Sequence, residues 1–155
     1  MFNNIVGSIA LVVAYVLQVG APELNDGAVA RLAYQLLEKA GGVEQFELAA
    51  FIVRSPRGAL TLLQWPGRGF SKANWAGPMP EGVVAVMHTH PQRSPRPSLQ
   101  DRAEAVRLKL PFYVVSRGAL CFADPHGQVQ CAGSVPWHRR NGLVGEIALQ
   151  WYSVS

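Results

Sequence analysis

Residues 82–101, GVVAVMHTHPQRSPRPSLQD, are the part of the sequence that predicts the fold most clearly. It begins with Gly82 to Thr89, a run rich in apolar and β-branched residues, which predicts a buried β-strand. The segment from Pro91 to Pro97 must leave the sheet, because proline cannot donate a hydrogen bond to a neighbouring strand. Ser98 then opens a helix that we expect to run to about Leu108. The stretch therefore predicts a strand, a loop and a helix in succession.

A second helix is predicted upstream of this unit. Asn25 and Asp26 offer an N-cap, and the apolar residues from Val29 to Ala40 recur at the spacing of one helix face. The pair Gly41-Gly42 supplies a left-handed stop. We expect this helix to be amphipathic and to cover one face of a sheet.

Five further segments combine β-prone residues with flanking turn sequences, and each predicts a strand. They are Phe46 to Arg54, Ala59 to Trp65, Phe112 to Ser116, Leu120 to Ala123 and Val129 to Ala132. The first two form a hairpin around Ser55-Pro56-Arg57-Gly58, and a turn from Asp124 to Gly127 separates the last two. With the two helices, these strands predict an α+β domain whose sheet is mainly antiparallel.

Length and composition indicate a folded chain with one domain. The 155 residues are 49% apolar and 15% charged, which excludes a disordered protein and is enough for one hydrophobic core. The net charge is +4, but the arginines are spread along the chain, so no nucleic-acid partner is expected. A local cluster of Arg93, Arg96, Arg102 and Arg107 either attracts an acidic partner or is ordinary solvated surface.

The N-terminal segment has three open interpretations. Residues 5–19 are almost wholly apolar and suit a signal-peptide core, a membrane anchor or a buried first strand. The flanks favour neither export nor anchoring, because no basic residue precedes the run and Pro22 follows the cleavage-like triplet Val19-Gly20-Ala21. Membrane association through residues 5–19 therefore stays open, as does a choice between a cytoplasmic and an exported or anchored protein.

The predicted organisation has three parts: an apolar segment over residues 1–24, the domain over residues 25–140 and a tail over residues 141–155. Trp137, Trp151 and Tyr152 are expected to pack the C-terminal end onto the domain at an unspecified place. Cys121 and Cys131 fall opposite each other if their segment is a hairpin with a three-residue loop at Pro125-His126-Gly127. A bridged pair and two reduced thiols are both open.

The His-Thr-His sequence suggests a metal site. Residues two apart on a strand face the same side of the sheet, so His88 and His90 can direct both imidazoles at one point. A catalytic zinc ion takes three protein ligands and keeps a fourth position for water. Asp101 is the best candidate for the third ligand, because the loop before Ser98 can fold the first turn of the helix over the strand end.

Activation of water also needs a carboxylate that moves protons. Most of the acidic residues lie at predicted termini, in turns or on exposed helix faces, which leaves Glu44, Glu47 and Glu81. Glu81 is at the far end of the histidine strand, more than about 20 Å away. Glu47 stands at the entry of the apolar run Leu48 to Val53, where a carboxylate is costly unless it has a task. We therefore prefer Glu47 as general base.

Each motif has an ordinary structural explanation when it stands alone. His-x-His pairs are common, and Ser98-x-x-Asp101 is the pattern of a helix capping box. The joint occurrence of an upstream Glu47, His-x-His-Pro at a strand end and Ser-x-x-Asp at the next helix start is much rarer. The combination favours a metal site.

The order Glu47, His88-Thr89-His90-Pro91 and Ser98-Leu99-Gln100-Asp101 resembles the JAMM motif of the JAB/MPN metallopeptidases. The resemblance implies a cytidine-deaminase-like α+β fold and a Zn²⁺ ion bound by His88, His90 and Asp101. It further implies that Glu47 moves the proton and that Ser98 stabilises the oxyanion. The similar order of elements extends from about residue 25 to residue 132. Ala50 departs from the family pattern, because many members have glycine three residues after the glutamate.

The resemblance implies zinc-dependent hydrolysis of a peptide or isopeptide bond, with a peptide or a ubiquitin-like protein as substrate. The alternatives are a non-catalytic MPN-like scaffold module and an exported hydrolase of an envelope or toxin system. Scaffold members usually lack a motif residue, whereas all five are present here, which favours the enzyme. Trp75 and Phe70 either line a substrate groove or anchor the Gly- and Pro-rich loop from Pro66 to Pro80.

Overall fold

The computed structural model describes residues 24–41, 47–66, 75–90, 94–132 and 149–154. Its elements are α1 (Asp26–Lys39), β1 (Ala49–Arg54), β2 (Leu60–Gln64), β3 (Val83–Thr89), α2 (Leu99–Leu108), β4 (Phe112–Val115), β5 (Leu120–Ala123), β6 (Val129–Ala132) and β7 (Trp151–Val154). The predictions for residues 5–19, for Phe70 and for Trp137 lie outside the described residues. None of the helices in the described part of the chain is long and apolar enough to span a membrane.

The seven strands form one sheet in the order β2-β1-β3-β4-β5-β6-β7. The β3 and β4 strands run parallel, and every other neighbouring pair is antiparallel. The parallel pair follows from α2, since a strand can return in the same direction only after a crossover connection. This mixed, mainly antiparallel sheet with two helices confirms the predicted α+β class.

The two helices cover opposite faces of the sheet. Side chains of α1 such as Leu32 and Leu36 pack in one cluster with Ile52 and Met87. Phe51, the neighbour of Ile52 on β1, belongs instead to a second cluster with residues of α2. This division follows from the alternation of side chains along a strand. The face covered by α2 also carries the candidate site.

Both helix starts have the predicted caps. The Asn25 side chain accepts a hydrogen bond of 2.8 Å from the amide of Ala28, and Gly41 has a positive φ of 65° after the last turn of α1. Ser98 caps α2, and Lys109 ends that helix in the left-handed region with φ 56°. Each cap is a local interaction, which explains why the sequence pattern located the helix starts.

Cys121 and Cys131 are paired across β5 and β6 and form a disulfide. The turn between them is held by Asp124, whose Oδ1 accepts hydrogen bonds from the amides of His126 and Gln128. Of the two alternatives that the sequence left open, the structure therefore shows the disulfide. Both cysteines are buried, at 0% and 2% exposure.

The strand β7 was not predicted from the sequence. It pairs antiparallel with β6 and extends the sheet by one strand. The Asp26 carboxylate of α1 accepts hydrogen bonds of 2.9 Å from Trp151 Nε1 and from the amide of Leu149. The Trp151 ring packs edge-on against Phe122, with centroids 5.0 Å apart. These contacts show where the C-terminal residues pack, which the sequence pattern did not indicate.

Candidate metal centre

The two histidines lie at the end of the central strand β3. His88 is paired with Ala49 of β1 and is 5% exposed, and His90 follows the last residue of the strand. Their Nε2 atoms are 3.0 Å apart. Thr89 between them is buried, and its Oγ1 accepts a hydrogen bond from the amide of Leu48. The alternation of the strand therefore directs both imidazoles to the face covered by α2.

Asp101 reaches the histidines from the first turn of α2. Its Oδ1 is 3.3 Å from His88 Nε2, and its Oδ2 is 3.6 Å from His90 Nε2. The amide and the hydroxyl of Ser98 each donate a hydrogen bond of 2.7 Å to Oδ2, while the Asp101 amide donates to Ser98 Oγ. Capping of the helix and placement of the carboxylate are thus achieved by the same two residues.

These residues fit a tetrahedral divalent ion. One nitrogen of each histidine and one oxygen of Asp101 lie within 4.8 Å of one another. Donor atoms bonded to tetrahedral zinc at 2.0–2.1 Å are about 3.3 Å apart. The two Nε2 atoms are 3.0 Å apart and His88 Nε2 is 3.3 Å from Asp101 Oδ1, while the 3.6 Å separation from His90 Nε2 is to the other carboxylate oxygen, Oδ2. Two imidazoles and one carboxylate also leave a coordination position free, as in catalytic rather than structural zinc sites.

A backbone contact sets the tautomer of His90. Its Nδ1 is 2.8 Å from the carbonyl oxygen of Ser94, and a carbonyl oxygen can only accept a hydrogen bond. Nδ1 therefore carries the proton, and the lone pair of Nε2 is free to face His88 and Asp101. Such contacts to the second nitrogen orient ligand histidines in metal sites.

The contacts within the site shift the pKa of Asp101 and that of His90. Burial raises the pKa of Asp101, but hydrogen bonds from His88 and His90 outweigh it and hold that pKa far below its usual range. Burial lowers the pKa of His90, but its contacts with Asp101 and Ser94 outweigh burial and raise the pKa overall. Asp101 is therefore anionic, and a proton competes with a metal ion for His90 Nε2.

Glu47 lies at the same site. The β1–β3 register pairs Ala49 with His88, and its continuation places Glu47 opposite His90. Glu47 is half-buried and lines one cavity together with His88 and Asp101. Its negative charge is among the causes that raise the pKa of His90. Of the other two carboxylates considered, Glu81 precedes β3 at its opposite end, and Glu44 lies outside the described residues.

The cavity has a volume of about 420 Å³ and extends from these polar groups into an apolar region. Its apolar wall includes Phe51, Trp65, Trp75, Met79, Leu108 and Phe112. Trp75 is thus at the site as well as anchored, since its Nε1 lies within hydrogen-bond distance of the carbonyl oxygens of Gly77 and Pro78. Phe51 and Trp65 were not predicted as site residues from the sequence, although alternation along β1 places Phe51 on the same face as Glu47 and Ala49.

Of the clustered arginines, Arg93 lies outside the described residues, whereas Arg102 and Arg107 have partners within the described part of the chain. Arg107 forms an ion pair with Glu104, in which its Nε is 3.0 and 3.1 Å from the two carboxylate oxygens. Arg102 Nε donates a hydrogen bond of 2.9 Å to the carbonyl of Gly127. Glu104 and Arg107 both line the cavity, so the exposed face of α2 borders the site.

Residues 29–128, which are 100 of the 155 residues, match a family model described as prokaryotic homologs of the JAB domain. No curated protein and no solved structure matches the chain significantly. The matched region includes Glu47 and the whole strand, loop and helix that carry His88, His90 and Asp101. This match and the α+β fold around a His-His-Asp cluster show that the chain belongs to the family of prokaryotic JAB-domain homologues.

Proposed function

We propose that the protein is a zinc-dependent peptidase that hydrolyses a peptide or isopeptide bond. The observation that carries the proposal is the convergence of His88, His90 and Asp101 on one point of a cavity that Glu47 also lines. A structural cluster without a metal would not require a further carboxylate in the same cavity, where partial burial of a carboxylate is costly.

The donor set favours zinc as the ion. Two imidazole nitrogens and one carboxylate oxygen are ligands that suit zinc, whereas magnesium and calcium prefer oxygen ligands alone. A zinc ion bound there supplies Lewis acidity, which polarises the scissile carbonyl and lowers the pKa of water toward neutrality.

The chain itself supplies the proton transfer. Glu47 is the group that accepts a proton from the attacking water and returns it to the departing amine nitrogen. It acts as base and then as acid, so a single carboxylate serves both steps. In the overall reaction, the water oxygen bonds to the carbonyl carbon and the C–N bond breaks. The proton that Glu47 took from the water is transferred to the departing nitrogen.

Ser98 has two roles within the proposal. Its hydroxyl donates to Asp101 Oδ2 and thereby positions the carboxylate. The role implied by the family resemblance, donation to the oxyanion of the tetrahedral intermediate, requires this hydroxyl to turn from Asp101 to the substrate. The substrate in the proposal is a peptide or a ubiquitin-like protein, and no nucleic acid takes part.

The test compares Glu47→Gln with the unchanged protein. We expect about one zinc ion per chain in both proteins, measured by elemental analysis, and hydrolysis of peptide and ubiquitin-like fusion substrates slowed about 10²–10⁴-fold in the variant. Glu81→Gln is the matched control, because Glu81 is exposed at the other end of β3 and should leave both quantities unchanged. A protein that holds zinc but cleaves no substrate would instead be the scaffold module, and one without affinity for zinc would refute the metal site.

A further inference from the structure

The sheet face that carries the site continues into an apolar floor. On this face, the pair formed by Ala49 and His88 is followed by the pair of Phe51 and Val86. Val86 is in turn paired with Phe112 of β4. Two residues along a strand correspond to about 6–7 Å, so the apolar row begins about that far from His88. A substrate side chain next to the cleaved amide is long enough to reach this apolar row.

Aromatic rings form the walls above this floor. The ring centroid of Phe51 is 5.1 Å from that of Trp65 and 5.0 Å from that of Trp75, and the two tryptophans are 6.2 Å apart. The polar edge of Trp75 is directed to the carbonyls of Gly77 and Pro78. The rings hold one another in place, so this region is preformed for an apolar group.

The remaining charges on the cavity wall neutralise each other. Apart from Glu47 and the metal-binding cluster, the charged lining residues among those described are Glu104 and Arg107. Each is the partner of the other in a bidentate ion pair. This part of the cavity therefore presents apolar surface and a closed ion pair to a substrate, which disfavours an ionised side chain as its occupant.

We infer that this apolar pocket, formed by Phe51, Trp65, Trp75, Val86, Leu108 and Phe112, binds a bulky apolar side chain next to the scissile amide. The inference rests on the proposed peptidase function and narrows its substrate class. The cavity of about 420 Å³ is in the size range of ligand pockets. Phe51 and Val86 are only 1% exposed, so the surface open to a substrate side chain is that of the half-buried Trp65, Trp75 and Leu108. A glycine at the cleaved bond would leave this surface uncovered and gain nothing from burial.

Two series of short peptides test the inference by kinetics. One series varies the residue on the acyl side of the cleaved bond through Gly, Ala, Leu and Phe, and the other varies the residue on the amine side. In one of the series, kcat/KM for Leu or Phe should exceed that for Gly about 30-fold or more. Equal cleavage of all peptides would overturn the pocket and leave the peptidase intact, whereas cleavage of none would count against the peptidase.

A binding measurement tests the apolar pocket without requiring hydrolysis. Zinc-loaded Glu47→Gln protein is titrated with N-acetylphenylalanine amide and with N-acetylglycine amide, and binding is followed by NMR. The phenylalanine compound should bind about tenfold more tightly or better. Equal affinity for the two compounds would overturn the pocket even if no peptide were cleaved.

The Trp75→Ala variant tests whether the preference for Phe over Gly arises in this pocket. It should reduce the Phe-to-Gly ratio in kcat/KM or in affinity about fivefold or more, because it removes one aromatic wall. The matched control is Tyr152→Ala, which removes an exposed aromatic side chain of β7 that is not among the cavity residues. An unchanged ratio in folded Trp75→Ala protein would contradict the inference. If Trp75→Ala does not fold, the titration of the Glu47→Gln protein, in which Trp75 is unchanged, still tests the pocket.

Discussion

Ser98 and Asp101 cap the start of α2 and also belong to the candidate metal site. The capping box requires an oxygen at the helix start and a carboxylate three residues later. In this protein, the second oxygen of that carboxylate lies 3.3 Å from His88 Nε2. The capping role of the motif is therefore compatible with the proposed metal-binding role, because a carboxylate can accept several hydrogen bonds.

Ser98→Ala tests this double use. Loss of the cap should lower the free energy of unfolding by about 1 kcal/mol, and loss of the bonds to Asp101 should weaken zinc binding about 10–100-fold. Chemical denaturation and competition with a chromophoric chelator measure the two effects. Ser55→Ala is the control, since Ser55 Oγ accepts from the amide of Ala59 in a turn away from the cavity. Unchanged zinc affinity with slower hydrolysis would assign the Ser98 hydroxyl to the substrate instead.

At the scale of elements, Asp26 joins the start of α1 to the last strand of the sheet. Its two carboxylate oxygens accept from Leu149 and Trp151, residues 123 and 125 positions away in the sequence. The contact is part-buried, so its loss leaves an indole N–H and a backbone amide without their acceptors. The Asp26 carboxylate thus stabilises the packing of β7 against α1, in addition to the pairing of β7 with β6.

Asp26→Ala should therefore destabilise the fold. We expect the free energy of unfolding to fall by about 2 kcal/mol, measured by urea denaturation followed by circular dichroism. Glu38→Ala removes an exposed carboxylate from the same helix and should change the value by less than about 0.5 kcal/mol. Equal effects of the two substitutions would show that Asp26 acts only through the general charge of the helix.

In the molecule as a whole, the proposed metal ligands would add a further connection between α2 and the sheet, which already share one buried cluster. Within α2, only Ala105 is buried, although this helix supplies Asp101. The histidines come from the end of β3, in the middle of the sheet. An ion bound to all three side chains would tie α2 to the sheet, so metal binding and folding should be linked.

Zinc should consequently raise the thermal stability of the protein. At free zinc about 100-fold above its Kd, the stabilisation is about 2.7 kcal/mol, which corresponds to a rise in Tm of about 5–10 °C for a chain of this size. Chelation with EDTA should reverse it. His90→Ala should abolish the shift, whereas His126→Ala, which changes an exposed turn histidine, should retain it. A zinc-dependent shift that survives in His90→Ala would place the ion elsewhere.

Several features of the fold and of the candidate site could be predicted because they depend on residues that are close in the sequence. The caps at Asn25 and Ser98 and the alternation that puts His88 and His90 on one face depend on residues a few positions apart. The candidate ligands could therefore be named before their distances were known. The register of a short hairpin likewise placed Cys121 opposite Cys131, although it left open whether they were bonded.

The remaining features depend on contacts between elements that are distant in the sequence. The addition of β7 to the sheet, the contact of Asp26 with Trp151 and the aromatic wall beside the metal centre all join residues from separate elements. No periodicity in the chain encodes such contacts, because they depend on how strands and helices are packed against one another. The strand β7 is as short as β4, β5 and β6, but its place in the sheet is defined by its pairing with β6 and by the contact with Asp26, both of which join residues from separate elements.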